Sequence, residues 1–288
     1  MILVADSGST KTDWRLIDQT GKALSYTTIG FNPYFQSVSN IAEELQRNLR
    51  PKMVTLPASG DATGKLNIHF YGAGCSTPEK CGMIDEAVRM VFPEASINVE
   101  HDLLAAARAV CGRSPGIVAI LGTGSNSGVY NGETIVKNIS SWGYLFGDEG
   151  SGAFMGKHFL SDYLSDNVPQ NITEWFHETY GYTKESIVES VYQSRMPSKY
   201  LASFSKFIYL HRNEDYFSRL VRYSFNKFFD RSICRYPEYR DFKLSCVGSV
   251  GFYYKDVLRE IAGDRGITID KIIQTPIAEL TSFHLSPE

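Results

Sequence analysis

The 288-residue sequence has little excess charge of either sign and no long hydrophobic run. Lys and Arg number 29 against 32 Asp and Glu, which leaves a net charge of −3. Because nucleic acids and anionic membranes select a concentrated basic face, we expect neither as a partner. No stretch approaches the roughly 20 apolar residues of a membrane helix, and the N-terminus shows no basic-then-apolar signal pattern. The sequence therefore predicts a cytoplasmic protein.

Cysteine is also sparse, and its spacing excludes two classes of site. The five cysteines form no CxxC pair; they are Cys75, Cys81, Cys111, Cys234 and Cys246. Neither a zinc site nor a disulfide framework is indicated, so we expect reduced and mostly buried thiols. What the chain does have is an ordinary globular composition, with 43% apolar and 13% aromatic residues, and a length that suits two domains.

The clearest feature of organisation is a weak internal repeat. Residues 2–6, 13–18 and 23–29 have the alternation of three strands joined by tight turns. A second run of this kind starts at residue 117 and includes a hairpin turn at Asn131-Gly132. The repeat predicts two similar lobes that face each other across a cleft.

The rest of the chain predicts an α/β protein with a helical elaboration in its second lobe. We expect helices at 41–49, 79–91, 103–110 and 253–261, and further strands at 66–71, 96–100 and 242–247. From residue 152 to about residue 230 the pattern is mostly helical. The aromatic residues expected in its core are Trp175, Phe176, Phe204, Phe207, Phe217 and Phe225.

Residues 6–12, Asp-Ser-Gly-Ser-Thr-Lys-Thr, follow the first strand. Glycine and small hydroxyl residues allow backbone N–H groups to turn inward and form a concave anion site. Asp6 stands where it can hold a hydrated Mg²⁺, which prefers one or two carboxylates plus phosphate oxygens. The segment lacks the GxxxxGK[ST] spacing of a Walker loop. By itself it is equally consistent with a plain hairpin turn.

Residues 121–127, Leu-Gly-Thr-Gly-Ser-Asn-Ser, form a second such turn at the matching place in the repeat. Two turns of this chemistry at equivalent positions favour a site for the phosphates of a nucleotide. A third glycine turn, residues 248–251, lies between a strand and a helix. A turn of that kind brings backbone close to a flat ring or a phosphate, although a simple connection fits it equally well.

Residues 100–102, Glu-His-Asp, end a strand just before an alanine-rich helix. Asp102 has two interpretations. It is a favoured N-cap residue, or it is a general base that accepts the proton of a substrate hydroxyl during phosphoryl transfer. His101 is interpreted as structural.

Residues 142–152 contain four glycines interleaved with aromatic residues and two acids. Aromatic faces and carboxylates are what a sugar site uses. Asp148 and Glu149 alternatively cap a helix that begins near Ala153. Residues 30–34 form a turn in which Asn32 offers an amide and Tyr34 an aromatic surface.

The order of these segments resembles that of the N-acetylglucosamine kinases. This family belongs to the actin, heat-shock chaperone and sugar kinase superfamily, in the group that includes the ATPase activators of CoA-ester reductases and dehydratases. The resemblance spans residues 2 to about 255, with little contribution from 155–235. The segments that carry it are DSGSTKTDW, EHDLLAAARA, LGTGSNS, WGYLFGDEGSG and CVGSVG.

The resemblance implies a two-lobed actin-like ATPase fold of ribonuclease H-like lobes. The implied domains are residues 1–112 and residues 113–288, the second with a helical insertion at about 153–235. The implied activity is ATP-dependent phosphorylation of an amino sugar, with N-acetylglucosamine 6-phosphate as the leading product. The implied cofactors are ATP and Mg²⁺, and a homodimer is the assembly suggested.

The resemblance also assigns roles to individual residues. Asp102 corresponds to the catalytic aspartate, and Asp6 lies near the metal. A tryptophan is familiar in the family where Tyr34 stands. The residues implied in nucleotide binding are Gly8, Ser9, Thr10, Lys11, Gly122, Thr123, Gly124, Gly248, Ser249 and Val250, and those implied in sugar binding are Asn32, Tyr34, Asn126, Gly143 and Asp148; Thr123 would also lie near the sugar.

Two other functions fit the same superfamily. The ATPases that activate 2-hydroxyacyl-CoA dehydratases and benzoyl-CoA reductase share phosphate segments of this kind, but they need interface cysteines for an iron–sulfur cluster. Cys75 and Cys111 are the candidates for that role. A non-catalytic sugar sensor would carry an added helix-turn-helix segment, for which we expect no room before Met1.

Overall fold

The computed structural model describes residues 1–8, 10–18, 21–53 and 66–286. Its strands are β1 (Ile2–Ser7), β2 (Lys11–Ile17), β3 (Ala23–Ile29), β4 (Asn67–Gly72), β5 (Ser96–His101), β6 (Gly116–Leu121), β7 (Ser125–Tyr130), β8 (Ile135–Asn138), β9 (Leu244–Val247) and β10 (Ile269–Ile273).

Helices follow most of the later strands, and a cluster of them separates β8 from β9. They are α1 (Val38–Glu44), α2 (Arg50–Met53), α3 (Pro78–Val91), α4 (Asp102–Cys111), α5 (Gly143–Phe146), α6 (Gly152–Leu164), α7 (Gln170–Tyr180), α8 (Lys184–Gln193), α9 (Pro197–Ser203), α10 (Ser205–Leu210), α11 (Asp215–Arg231), α12 (Ser249–Tyr253), α13 (Lys255–Gly263) and α14 (Ile277–Leu285). None of these helices combines the length and the apolar character that crossing a membrane requires.

The two sheets have the same topology, which confirms the internal repeat. Within the described residues the first sheet has the order β3-β2-β1-β4-β5 and the second the order β10-β9-β6-β7-β8. Each begins with an antiparallel meander of three strands and adds two strands parallel to the first. The carboxyl ends of three parallel strands therefore lie at one edge of each sheet.

The chain divides into two compact units. Met1–Gly112 and the segment from Pro276 onward form unit 1, and Arg113–Thr275 form unit 2. The sequence analysis placed all of 113–288 in the second domain, but α14 packs on β1, β2 and α4 of unit 1. The buried side chain of Leu280 anchors it there.

Each unit has its own hydrophobic core. In unit 1 the rings of Trp14, Phe31 and Phe70 lie 5.9 to 6.4 Å apart between the sheet and helices α1 and α3. In unit 2 a large aromatic core joins the sheet to α6–α11. Five of the six aromatic residues expected there are buried, whereas Trp175 is only partly buried and stacks on His211 at 4.9 Å.

Several elements differ from the sequence prediction. The predicted helix 41–49 begins earlier, at Val38, and passes through a π-helical turn at Leu45–Leu49. The predicted helix 253–261 is two helices, α12 and α13, which meet at Tyr254. The sequence analysis missed β10 and α14. Both are short and have mixed polarity, so only tertiary packing defines them.

The face of the first sheet opposite its core is unusually polar beneath α14. The rings of His69 and His284 stack at 3.9 Å, and the hydroxyl of Tyr71 is 2.9 Å from Nε2 of His284. Arg108 of α4 donates to the same hydroxyl at 2.5 Å. Arg15 lies on this face through its register with Val4, which in turn pairs with His69. Two guanidinium groups therefore lie on the side of the sheet that α14 covers.

We expect acidification to loosen α14 from unit 1. Burial, and secondarily the charge of Arg108, lowers the pKa of His69 below its ordinary value of 6.5. The opened state therefore binds more protons than the closed state below that value. The stability contributed by neutral His69 is present above pH 6.5 and is lost as the pH falls through the lowered pKa.

Hydrogen exchange of the α14 amides, corrected for intrinsic rates, measures this effect between about pH 7.5 and pH 5. A His69→Gln variant keeps a polar side chain that does not titrate, so the protection of α14 should depend less on pH. Equal pH dependence in the two proteins would contradict the role of His69.

Candidate active site

The first part of the candidate site lies at the carboxyl edge of the first sheet. The parallel strands β1, β4 and β5 align Ser7, Gly72 and His101 in one row of the register. The segments that follow these residues are the first phosphate turn, the turn Gly72-Ala73-Gly74 and Asp102. Three segments that are distant in sequence are therefore adjacent because parallel strands all end at the same edge.

The buried hydroxyl of Ser7 joins two of the predicted segments. It shares a hydrogen bond with the hydroxyl of Thr12 at 2.8 Å and accepts one from the backbone N–H of Phe31 at 2.9 Å. The carbonyl of Ser7 accepts a hydrogen bond from the N–H of Ala73 at 2.8 Å. This residue therefore fixes the phosphate turn against the segment that carries Asn32.

In the first phosphate turn (residues 6–12), the described residues at the tip of the hairpin face solvent. The N–H of Gly8 donates to the carbonyl of Lys11 at 3.0 Å, and Gly8, Thr10 and Lys11 are exposed. Ser9 lies outside the described residues. The ammonium of the exposed Lys11 side chain is 2.8 Å from the half-buried carboxylate of Asp13.

Asp102 is not the N-cap of α4, which removes one of its two interpretations. His101 is the N-cap, and its Nδ1 accepts a hydrogen bond from the N–H of Leu104 at 3.2 Å. This confirms the structural role of His101. Asp102 is the first residue of the helix, where its carboxylate accepts hydrogen bonds from the backbone N–H groups of Asp102 and Leu103.

The charge of Asp102 acts on the buried carboxyl group of Asp6. Burial, then the charges of Asp102 and Asp13, raises the pKa of Asp6 to about 7, with Lys11 opposing. Burial raises the pKa of Asp102 to about 6, while backbone hydrogen bonds oppose the rise. Such shifts are typical of functional carboxylates.

The residues around Asp6 fit a divalent cation that is held largely by phosphate oxygens. No group of three His, Cys, Asp or Glu suited to a metal occurs in the described part of the chain. Mg²⁺ does not need such a cage, because one or two carboxylates plus phosphates and water suffice. The repulsion that raises the pKa of Asp6 is the kind that a cation relieves.

The segment Asn32–Tyr34 packs on the loop that follows β4. The side-chain oxygen of Asn32 accepts a hydrogen bond from the N–H of Tyr34 at 3.0 Å, which forms the predicted turn. Gly74 lies directly against this amide, since a Cβ at Gly74 would be 2.5 Å from Oδ1 of Asn32. With its oxygen occupied, Asn32 presents its NH₂ group as a donor.

The second part of the candidate site lies in unit 2 and joins two glycine turns. Gly248 has a φ of +124°, and a Cβ there would be 2.3 Å from the carbonyl oxygen of Leu121 and 3.2 Å from the nitrogen of Gly122. The turn that begins α12 therefore rests on the turn Gly122–Gly124. Ser249 and Val250 start α12 directly after it.

Asp148 is buried against the second phosphate turn. Its Oδ1 accepts a hydrogen bond from the N–H of Ser125 at 3.2 Å, and a Cβ on Gly124 would be 3.0 Å from its Oδ2. Its φ of +55° lies in the left-handed region, which aspartate tolerates better than most other non-glycine residues. Burial raises its pKa, with the hydrogen bond from Ser125 opposing.

One interpretation proposed that Asp148 and Glu149 cap the following helix, but neither of them does. Ser151 is the N-cap of α6, and its hydroxyl accepts a hydrogen bond from the N–H of Phe154 at 3.1 Å. Glu149 instead pairs with Arg231 at 2.7 Å. The cap therefore leaves Asp148 available to hold the phosphate turn.

The other two predicted sugar residues of unit 2 are Asn126, which follows the turn Gly122–Gly124 closely, and Gly143, which precedes Asp148 in the same loop. Asn126 follows on β7, where its oxygen accepts a hydrogen bond from Asn138 Nδ2 at 2.8 Å. Gly143 opens α5 with a φ of +69°. Lys157 holds that short helix by donating to the carbonyl of Tyr144 at 2.7 Å.

Sequence reasoning missed Ser7, Gly74 and Lys157 as organising residues. Ser7 lies inside a segment that was recognised, so its hydroxyl was a usable signal, and Gly74 follows the predicted strand 66–71 in a glycine-containing turn. Lys157 lies in a helix, and nothing in its local pattern marks it.

The fold of this chain is similar to those of several solved structures. The crystal structure of the "Putative N-acetylglucosamine Kinase" from Porphyromonas gingivalis matches with a TM-score of 0.91 and 41% identity, over 99% of this chain and 98% of that one. The protein with the same printed name from Chromobacterium violaceum matches with a TM-score of 0.76 and 17% identity, over 98% of both chains.

A third match is a ROK family glucokinase from Streptomyces griseus in complex with glucose and AMPPNP. Its TM-score is 0.52 at 14% identity, over 98% of this chain and 97% of that one. The last two matches establish the fold alone, and they support the predicted two-lobed α/β actin-like architecture. No family model and no curated protein matched the chain.

The packing of Gly248 on Leu121 generates a prediction. We expect Gly248→Ala to lower the free energy of unfolding by about 2–4 kcal/mol, because the added Cβ meets backbone at a strained φ. Gly263→Ala is the control, since a Cβ there meets nothing within 4 Å. Denaturant unfolding of both variants measures the difference, and equal stabilities would contradict the packing described.

Proposed function

The chain belongs to the N-acetylglucosamine kinase family, and on that premise we propose that it transfers the γ-phosphoryl group of ATP to an amino sugar. The leading substrate is N-acetylglucosamine and the leading product its 6-phosphate. The observation that carries the proposal is the convergence of Asp6, Asp102 and the first phosphate turn at one strand edge.

Asp102 acts as the general base in this proposal. With a pKa of about 6 it is mostly ionised at neutral pH, so it can accept the proton of the sugar hydroxyl as the hydroxyl oxygen bonds to phosphorus. The bond between the γ-phosphorus and the bridging oxygen breaks, and ADP leaves. Phosphoryl transfer asks mainly for such positioning and for charge stabilisation.

Nucleotide binding is assigned to the three glycine turns. Gly8, Ser9, Thr10 and Lys11 and the turn Gly122–Gly124 would contact phosphate oxygens. Gly248, Ser249 and Val250 would lie against the adenosine. Asp6 would hold Mg²⁺, which neutralises charge on the phosphates.

Sugar binding is assigned to polar groups that the structure already orients. Asn32 offers a donor, and the exposed ring of Tyr34 offers an apolar surface for the acyl substituent. Asn126, Gly143 and Asp148 complete the assignment. Because Asp148 also holds the second phosphate turn, its position would couple sugar binding to nucleotide binding.

The activator ATPase is not favoured by the position of the cysteines. Cys75 is 3% exposed and belongs to the core of unit 1, so it is not available as a ligand at an interface. Cys111 lies at the end of α4, whereas Cys75 lies in the loop between β4 and α3.

The first test is ADP release with ATP and Mg²⁺ against a panel of sugars. We expect the strongest response with N-acetylglucosamine, compared with glucosamine, N-acetylmannosamine, N-acetylmuramic acid and glucose. Slow hydrolysis that no sugar stimulates, together with iron in the purified protein, would instead support the activator ATPase.

The second test is Asp102→Asn. Removing a general base should lower kcat by roughly 10² or more, while the KM for ATP stays close to its wild-type value. In the wild type, kcat/KM for the sugar should fall as the pH drops through about 6, because Asp102 must be ionised to accept the proton. Asp256→Asn, on the exposed surface of α13, is the control. Near-normal turnover in Asp102→Asn would exclude the assigned base.

A further inference from the structure

The ammonium of Lys80 lies beside the ring that the proposed function assigns to the sugar. Lys80 is in the first turn of α3, and its Nζ is 5.0 Å from the ring centroid of Tyr34. The same nitrogen donates to the carbonyl of Pro33 at 3.3 Å. A positive charge is therefore held at the Pro33-Tyr34 turn by two contacts.

Among the described residues, no carboxylate forms an ion pair with this ammonium. None of the ion pairs found among the described residues includes Lys80. Its other polar contact is with Sδ of Met83 at 3.8 Å. The positive charge beside Tyr34 is therefore not paired with a described carboxylate.

The ring of Tyr34 is held in place although it is 56% exposed. Its hydroxyl shares a hydrogen bond with the hydroxyl of Ser76 at 2.9 Å, and its N–H is bound by Asn32. The ring and the ammonium are thus fixed relative to each other before any ligand binds. A substituent that contacts the ring meets a positive charge at a set distance.

We propose that Lys80 determines specificity at the sugar site by favouring a neutral N-acylated amino sugar over the corresponding free amine. This inference rests on the proposed function and on contact between Tyr34 and the nitrogen substituent. An acetamido group is uncharged. An amine with a pKa near that of an α-amino group, about 7.7–8.0, is largely cationic at neutral pH. Repulsion by Lys80 then acts on the amine alone, which is discrimination against the wrong ligand.

The size of the effect follows from Coulomb's law. For two unit charges about 7 Å apart, an effective dielectric constant between 20 and 80 corresponds to a factor of about 3 to 50 in relative kcat/KM. The effect should lie mainly in the KM for the amine sugar, because the repulsion is present as soon as the sugar binds.

The test compares kcat/KM for N-acetylglucosamine and for glucosamine in Lys80→Met and Lys80→Arg. Methionine keeps much of the aliphatic chain without the charge, and arginine keeps the charge. We expect the ratio of the two constants to fall about 3- to 50-fold in Lys80→Met and to remain near the wild-type ratio in Lys80→Arg. Lys199→Met, on the exposed surface of α9, is the matched control and should not change the ratio.

The outcomes separate this inference from the proposed function. If Lys80 only supported the Tyr34 turn, Lys80→Met would weaken both sugars equally and the unchanged ratio would overturn the inference. If the wild type phosphorylates neither sugar, the proposed function fails and the inference fails with it. A wild type that is active on N-acetylglucosamine, with an unchanged ratio in Lys80→Met, overturns the role of Lys80 alone.

Discussion

The parallel register of β1, β4 and β5, which aligns Ser7, Gly72 and His101, determines the geometry of the candidate site in unit 1. Each of these strands is followed by a segment whose chemistry matters only in combination with the others. A shift of one residue in any pairing would turn the side chains of that strand to the opposite face. The hydroxyl of Ser7 reinforces the alignment, because it also binds the backbone of Phe31 and the side chain of Thr12.

This arrangement buries the carboxyl groups of Asp6 and Asp102, and burial is the largest cause of their elevated pKa values. Both carboxylates are destabilised by burial, and Asp6 also by Asp102. A nearby cation reverses this effect for Asp6, because opposite charge favours the ionised form.

Much of this architecture was predictable from local sequence. The repeat of strand and glycine turn predicted two equivalent sheets, since period-2 patterns and turn residues are local signals. The capping interpretations were less successful. Asp102 and Asp148 have the residue type of an N-cap, but His101 and Ser151 take that role. Residues with capping ability that lie one to three positions apart cannot be ranked by type alone. The docking of α14 on unit 1 depends on a return of the chain that no local pattern encodes.

Under the proposed function, reaction type and substrate choice depend on different segments of unit 1. The phosphate turn and Asp102 are strand-end features, which the sheet topology dictates. The surroundings of Tyr34 depend instead on the loop after β4 and on the first turn of α3, through Gly74, Ser76 and Lys80. Under the proposed function, substitutions in that segment would change the ligand without moving the strands. Reaction type would then follow from the strand ends, and substrate choice from the loop after β4 and the first turn of α3.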